Sequence, residues 1–246
     1  MQPDKKQLEL LLMHFFRECS PDFPKGKIVP SESPDFILKL KSKNRIGIEL
    51  TRLHPVKMLA LDAYALDQQK LREQMIATIE SLVERSSAQK LFVKFLFDDK
   101  NPVTEERVLS LSVQVANAIR KAIQSRNAAG FYFIILERLQ LPVVLTRILI
   151  VNHPALEVSV WERANNLGVS EDVIEDIRNS ILKKDNKLFL YHRQSLNLYW
   201  LIIFADRLRG SKNHNLHNRI NNHIFRSHFQ KVFLFDLMQS RVLQLV

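Results

Sequence analysis

The chain has 246 residues, 46% hydrophobic and 25% charged, a balance that can bury a sizeable core without disulfide or metal staples. Its 36 Lys and Arg against 26 Asp and Glu give a net charge of +10, which favours a polyanionic partner, nucleic acid ahead of an anionic membrane. Five glycines in no phosphate-loop or dinucleotide pattern exclude those motifs, and the lone Cys19 excludes an internal disulfide or a cysteine zinc site.

No stretch approaches about 18 apolar residues free of charge, so no membrane span is expected. The first residues lack the clean apolar core of a signal peptide. With a single thiol, the expected location is the cytoplasm.

In chain order, Leu8, Leu11, Leu12, Phe15 and Phe16 recur at helical spacing and predict a helix over 4–18, flanked by Glu9 and Glu18. The prolines and glycine between Ser20 and Pro34 predict a loop. Two strands should follow, over 35–41 and 46–53, joined by the turn residues Ser42-Lys43-Asn44. Alternation puts Phe36, Leu38 and Leu40 on one face of the first strand, with Asp35, Ile37, Lys39 and Lys41 on the other. In the second strand Ile46, Ile48, Leu50 and Arg52 share a face, and Gly47, Glu49, Thr51 and Leu53 share its opposite.

A long helix over 58–87 carries a polar side with Gln68, Gln69, Lys70, Arg72 and Glu73. Residues 91–97 read as a strand, Thr104 to about Gln124 as a helix with Glu105 and Glu106 in its first turn, and 131–137 and 143–151 as strands. Ser170 could cap a helix running to about Tyr191, the apolar run 198–205 is a strand, and 232–235 with 242–245 is a last hairpin. Alternating strands and helices predict an α/β fold with a mixed central sheet flanked by helices. With no repeat or sharp shift in composition, one domain over 1–246 is the simplest organisation: a core of about 4–150 and a C-terminal helix, strand and basic extension over 151–246.

Asp35 and Glu49, near the ends of adjacent strands, can converge on a hard divalent cation, which takes carboxylate oxygens and keeps several waters. Such an ion activates water and stabilises a phosphoryl transition state. A pair of rim carboxylates with no ligand has the same spacing. Pro34-Asp35, a hairpin turn, then Ile48-Glu49-Leu50-Thr51 resembles the PD-(D/E)xK nuclease superfamily. The order of elements is similar too: a helix with an acid before the hairpin, a long helix after it, then the lysine-rich run 181–188 reaching Tyr191 ahead of the Trp-Leu strand 198–205.

The resemblance implies a restriction-endonuclease-like core and Mg²⁺- or Mn²⁺-dependent hydrolysis of nucleic acid, with DNA the expected substrate. It implies that Asp35, Glu49 and the Leu50 carbonyl hold the ion, joined by Glu9 or Glu18. It also expects a lysine where this chain has Thr51, so either the cation comes from elsewhere or catalysis is weakened or lost. Lys70 with Gln68 and Gln69 ranks first as the replacement. The bland reading of those three is a solvated helix face. The alternative for the whole protein is a catalytically inactive member of the fold that binds nucleic acid or a protein partner.

Phosphate contacts are expected from Lys39, Lys41 and Arg52, and from the basic segment with Arg207, Arg209, Lys212, Arg219 and Arg226. The alternative for that segment is a solvated basic surface. Phe225 and Phe229 are expected to anchor the segment to the core ahead of stacking on bases. Its histidines fit no zinc spacing. Residues 164–177 resemble the turn of a helix-turn-helix, which would need a first helix over 157–166. Val158 and Val160 argue against one. Cys19 reads as inert, and His54 as a strand-end residue that could touch the acidic pair. A homodimer is compatible with all of this; a membrane partner is not expected.

Overall fold

A computed structural model of the chain describes residues 4–58, 60–165, 170–188, 196–208 and 216–246. The fold is α/β. Its strands divide between two mixed sheets, and its contacts cluster in two compact units. The first unit comprises 1–15 and 60–166, and the second 16–59 and 167–246. The boundary within the first helix, α1 (Lys5–Cys19), falls after Phe15. No helix among the described residues is long and apolar enough to cross a membrane.

In the first unit, β4 (Leu91–Phe97) lies between β6 (Leu145–Asn152) and the short β7 (Val160–Arg163), and β5 (Tyr132–Glu137) forms the other edge beyond β6. All seven residues of β4 are buried, as a central strand covered on both faces requires. Two helices, α2 (Ala63–Glu84) and α3 (Val108–Ile123), pack on one face of this sheet. Val93, Phe95, Ile148 and Ile150 meet Met75, Ile79, Val115 and Ile119 there. Asp62 caps α2 by accepting a hydrogen bond from the Ala65 N–H at 2.7 Å. Where a helix-turn-helix would need its first helix there is instead the strand β7, paired in parallel with β4 through Phe92–Phe95. The β-branched Val160 and aromatic Trp161 suit a half-buried pleat better than a helix. Most of the turn itself, 166–169, lies outside the described residues.

The second unit holds a six-stranded sheet in the order β1-β2-β3-β8-β9-β10. Its strands are β1 (Gly26–Pro30), β2 (Phe36–Leu40), β3 (Arg45–Arg52), β8 (Leu198–Ala205), β9 (Lys231–Asp236) and β10 (Arg241–Gln244). The first three form an antiparallel meander, and β3 then pairs in parallel with β8. Parallel neighbours need a crossover, and among the described residues of this unit it carries the helix α4 (Val173–Asp185). The segment 20–34, which reads as loop from its breakers, contains β1. An edge strand tolerates Gly26 and Pro30 at its ends because one side of its backbone needs no ladder partner.

The cap of α4 is Asp172 rather than Ser170, with its carboxylate accepting from the Ile174 N–H at 3.0 Å. Ser170 bonds Asp176 inside the fold instead. The helix ends at Asp185; the expected extension to Tyr191 runs into residues 189–195, outside those described.

Register settles which side chains share each face of this sheet. One face carries Leu38, Ile48, Trp200, Ile202, Phe233 and Phe235, covered by Phe16 and Phe23 with ring centroids 5.4–6.1 Å apart. The opposite face carries Tyr199, Leu201, Ile203, Val232 and Leu234, packed against the Val173–Ile177–Ile181 stripe of α4. Leu216 and Ile220 of α5 (Leu216–Asn221), with Phe225 and Phe229, complete that core, as expected for two phenylalanines anchoring a basic segment.

Candidate functional site

The site builds from β3. Phe36 pairs with Ile48 and Leu38 with Ile46, and continuing that register one step sets Asp35 opposite Glu49. The Leu50 N–H donates to Asp35 Oδ2 at 2.7 Å, which ties the carboxylate to the end of the neighbouring strand. Glu49 lies on the face turned to α4, together with Gly47 and Thr51. It is only 6% exposed. Gly47 keeps this face tight: a Cβ there would come within 2.8 Å of Pro34 and Leu196 side-chain carbons.

A buried carboxylate needs a partner, and Glu49 has one. The Lys184 ammonium donates to Glu49 Oε1 at 2.5 Å, with 16% of the lysine side chain exposed. Lys184 follows Val173, Ile177 and Ile181 at helical spacing, so the stripe that docks α4 on the sheet also delivers the lysine. Sequence reasoning passed over Lys184 as the replacement for the missing motif lysine. The available signal was its phase: the last turn of α4 has two lysines, and Lys184 is the one that continues the apolar stripe.

The other expected residues are placed as follows. Gln68 is buried in the first unit, not on a solvated face; its amide donates to the Val103 carbonyl at 2.9 Å and accepts from the Val103 N–H at 3.0 Å. Lys70 is exposed on α2 and pairs with Asp67 at 3.4 Å, and Gln69 donates to Glu73 at 2.9 Å. Glu9, in the first unit, pairs with Lys5 at 3.2 Å; Glu18, in the second, bonds the Arg17 guanidinium at 3.1 Å. Arg52 places Nη2 between both oxygens of the buried Asp206, at 3.0 and 2.9 Å, so its charge is engaged within the sheet. Lys39 and Lys41 are exposed at the hairpin tip.

Arg207 is half-buried, Arg219 and Arg226 are exposed, and Arg209 and Lys212 lie outside the described residues. Arg226 and Arg178 line a cavity of about 330 Å³ with Leu182, Ile224 and Phe225. Burial pushes the Cys19 thiol up to about 12, in keeping with an unreactive cysteine. The His54 imidazole is held below its ordinary range by desolvation and by the charges of Arg52 and Lys183.

Among the described residues no three His, Cys, Asp or Glu side chains gather as a metal cage. Mg²⁺ asks for less than a cage: one or two carboxylates, with water and substrate phosphate oxygens filling its shell. Asp35, Glu49 and the Leu50 carbonyl are hard oxygen donors of that kind, with the Asp35 carboxylate accepting from the Leu50 N–H and the Glu49 carboxylate from Lys184. The chain matches no protein-family model, no curated protein and no solved structure.

Proposed function

We propose that the second unit is a metal-dependent phosphodiesterase centre acting on nucleic acid, with DNA as the leading substrate. The observation that carries this reading is the ion pair between Glu49 and Lys184 beside Asp35. Two acids on neighbouring strands and a lysine beside one of them make up the nuclease motif, with the lysine supplied by α4 instead of position 51. The antiparallel β2–β3 hairpin and the lysine-rich α4 followed by the Trp-Leu strand β8 give further support, because the resemblance calls for that order.

In this reading Asp35, Glu49 and the Leu50 carbonyl bind Mg²⁺ or Mn²⁺. The ion, when bound, supplies a more acidic water and neutralises phosphate charge. Lys184 offsets the negative charge that develops on the phosphoryl oxygens, and holds the Glu49 carboxylate oriented between turnovers. The Thr51 hydroxyl, on the same face, can bond a water or a phosphate oxygen but adds no charge.

One observation favours a second reading. Glu49 is buried and closed on Lys184, so the pair could simply tie α4 to β3 in a protein that binds nucleic acid or a protein partner without cleaving it. Cleavage of plasmid, linear and single-stranded substrates with Mg²⁺ or Mn²⁺ separates the two. The catalytic reading expects cleavage by the native chain and its loss in Asp35→Ala and Glu49→Ala, with binding kept. Undiminished cleavage in both variants would falsify the site, and binding without any cleavage would establish the second reading.

A further inference from the structure

The register of the meander brings together three cations that are scattered in the sequence. Lys27 on β1 stands directly opposite Lys39 on β2, and Lys39 directly opposite Arg45 on β3. Directly opposed residues project from the same face of a sheet, so the three charges form one row across three strands. All three are exposed, and among the described residues none forms a salt bridge. Like charges set opposite one another destabilise a sheet, so the row costs the isolated protein stability and calls for an anion to offset it. Lys41 and Lys43 in the adjoining turn, and Lys25 just before β1, raise the local potential further.

The row lies on the face that carries Glu49. Arg45, Gly47 and Glu49 alternate along β3 on that side. Four residue steps of strand separate Arg45 from Glu49, about 13 Å at roughly 3.3 Å per residue.

We propose that Lys27, Lys39 and Arg45 form a phosphate-binding stripe that grips a nucleic-acid backbone roughly 13 Å along β3 from the bond presented to Asp35, Glu49 and Lys184. The proposal rests on the nucleic-acid reading of that centre, but the stripe does not require catalysis. Its ligand is a chain of phosphates, each of which can take one of the three cations. Arg52 has no part in it, being engaged with Asp206.

The test is binding of the full chain to a labelled DNA duplex, and separately to a labelled single strand. EDTA prevents cleavage, and salt runs from about 50 to 200 mM. The triple variant K27Q/K39Q/R45Q is expected to lower the slope of log K against log salt by roughly 2.7 for a duplex or roughly 2.1 for a single strand, at about 0.9 and 0.7 per phosphate contact. Its melting temperature should equal or exceed that of the native chain, because a repulsive row has been removed. A control triple in the first unit, K90Q/K121Q/R126Q, removes the same charge and should change the slope by less than one contact.

An unchanged slope in the stripe variant overturns the proposal. So does an equal loss in the control, which would reduce the effect to net charge. Binding to anionic vesicles with none to either nucleic acid overturns it as well. A native chain that binds with this slope difference yet never cleaves supports the stripe and sinks only the catalytic reading. Cleavage with an unaltered slope does the reverse.

Discussion

Lys184 and Glu49 pose the sharpest question at the level of single residues. Their pair is nearly dry, and removing one partner of such a pair leaves the other charge buried without compensation. Lys184→Met is therefore expected to destabilise the protein by about 3 kcal/mol, the lower part of the range for broken buried pairs because the lysine keeps some exposure. Much of that loss should return in the double variant Glu49→Met/Lys184→Met, read by urea unfolding. If Lys184 also serves catalysis, Lys184→Arg should recover stability and part of the cleavage rate, whereas the double variant recovers stability alone.

His153 gives a pH dependence with a definite sign. The Ala155 N–H donates to its Nδ1 at 3.0 Å, so its proton sits on Nε2, which faces Nδ1 of His14 at 3.0 Å. Burial, with His14 beside it, lowers its pKa from 6.5 to about 4. Between those values the unfolded chain takes up a proton that the folded chain refuses, so stability is full above about pH 6.5 and falls as pH drops toward about 4. Denaturation midpoints at pH 7 and pH 5 should move apart in the native chain and move less in His153→Gln. An equal shift in both would remove His153 from the account.

Among the elements, β1 is the one that its own residues conceal. Gly26 and Pro30 lower its strand character, yet Gly26 is where the neighbouring backbone comes closest. A Cβ there would lie 2.7 Å from the Lys39 carbonyl oxygen and 2.8 Å from Leu38 Cδ1. The oxygen belongs to the β2 ladder and cannot withdraw cheaply, so Gly26→Ala should cost about 1–3 kcal/mol, as overpacking does. Amide exchange should speed up first at Ile28 and Val29, and nucleic-acid affinity should drop as Lys27 is displaced; unchanged exchange would argue against the close approach. The hairpin after β1 was legible because strict alternation from Phe36 to Arg52 identifies two faces before any partner is known. Helix α4 was legible in its stripe but not in its cap, since Ser170, Glu171 and Asp172 all precede it and only packing selects Asp172. The helix-turn-helix resemblance yields at its first helix, where Val158 and Val160 already argued against one: residues 160–163 pair beside β4 and become strand.

Across the whole molecule, chain order and spatial order part company. Residues 60–166 lie in sequence between β3 and α4, yet β3 and α4 belong to one unit and most of the intervening chain to the other. The long helix that directly follows the hairpin, α2, thus sits with the four-stranded sheet, and Gln68 and Lys70 go with it. The helix that returns to the acid-bearing strand is α4, a hundred residues later by order of magnitude, a separation at which local reasoning has little hold.

What the sequence determined by itself was local and periodic: the α/β class, the hairpin, the side of β3 on which Glu49 and Thr51 stand, and the positive charge. Period-two and period-3.6 patterns follow from backbone geometry and need no partner to be read. The tertiary structure alone decided the parallel pairing of β3 with β8, the division into two sheets, the meeting of Lys184 with Glu49 and the alignment of Lys27, Lys39 and Arg45. Each of these depends on the register between distant segments, which is chosen by the burial of whole faces at once and not by any residue's own preference.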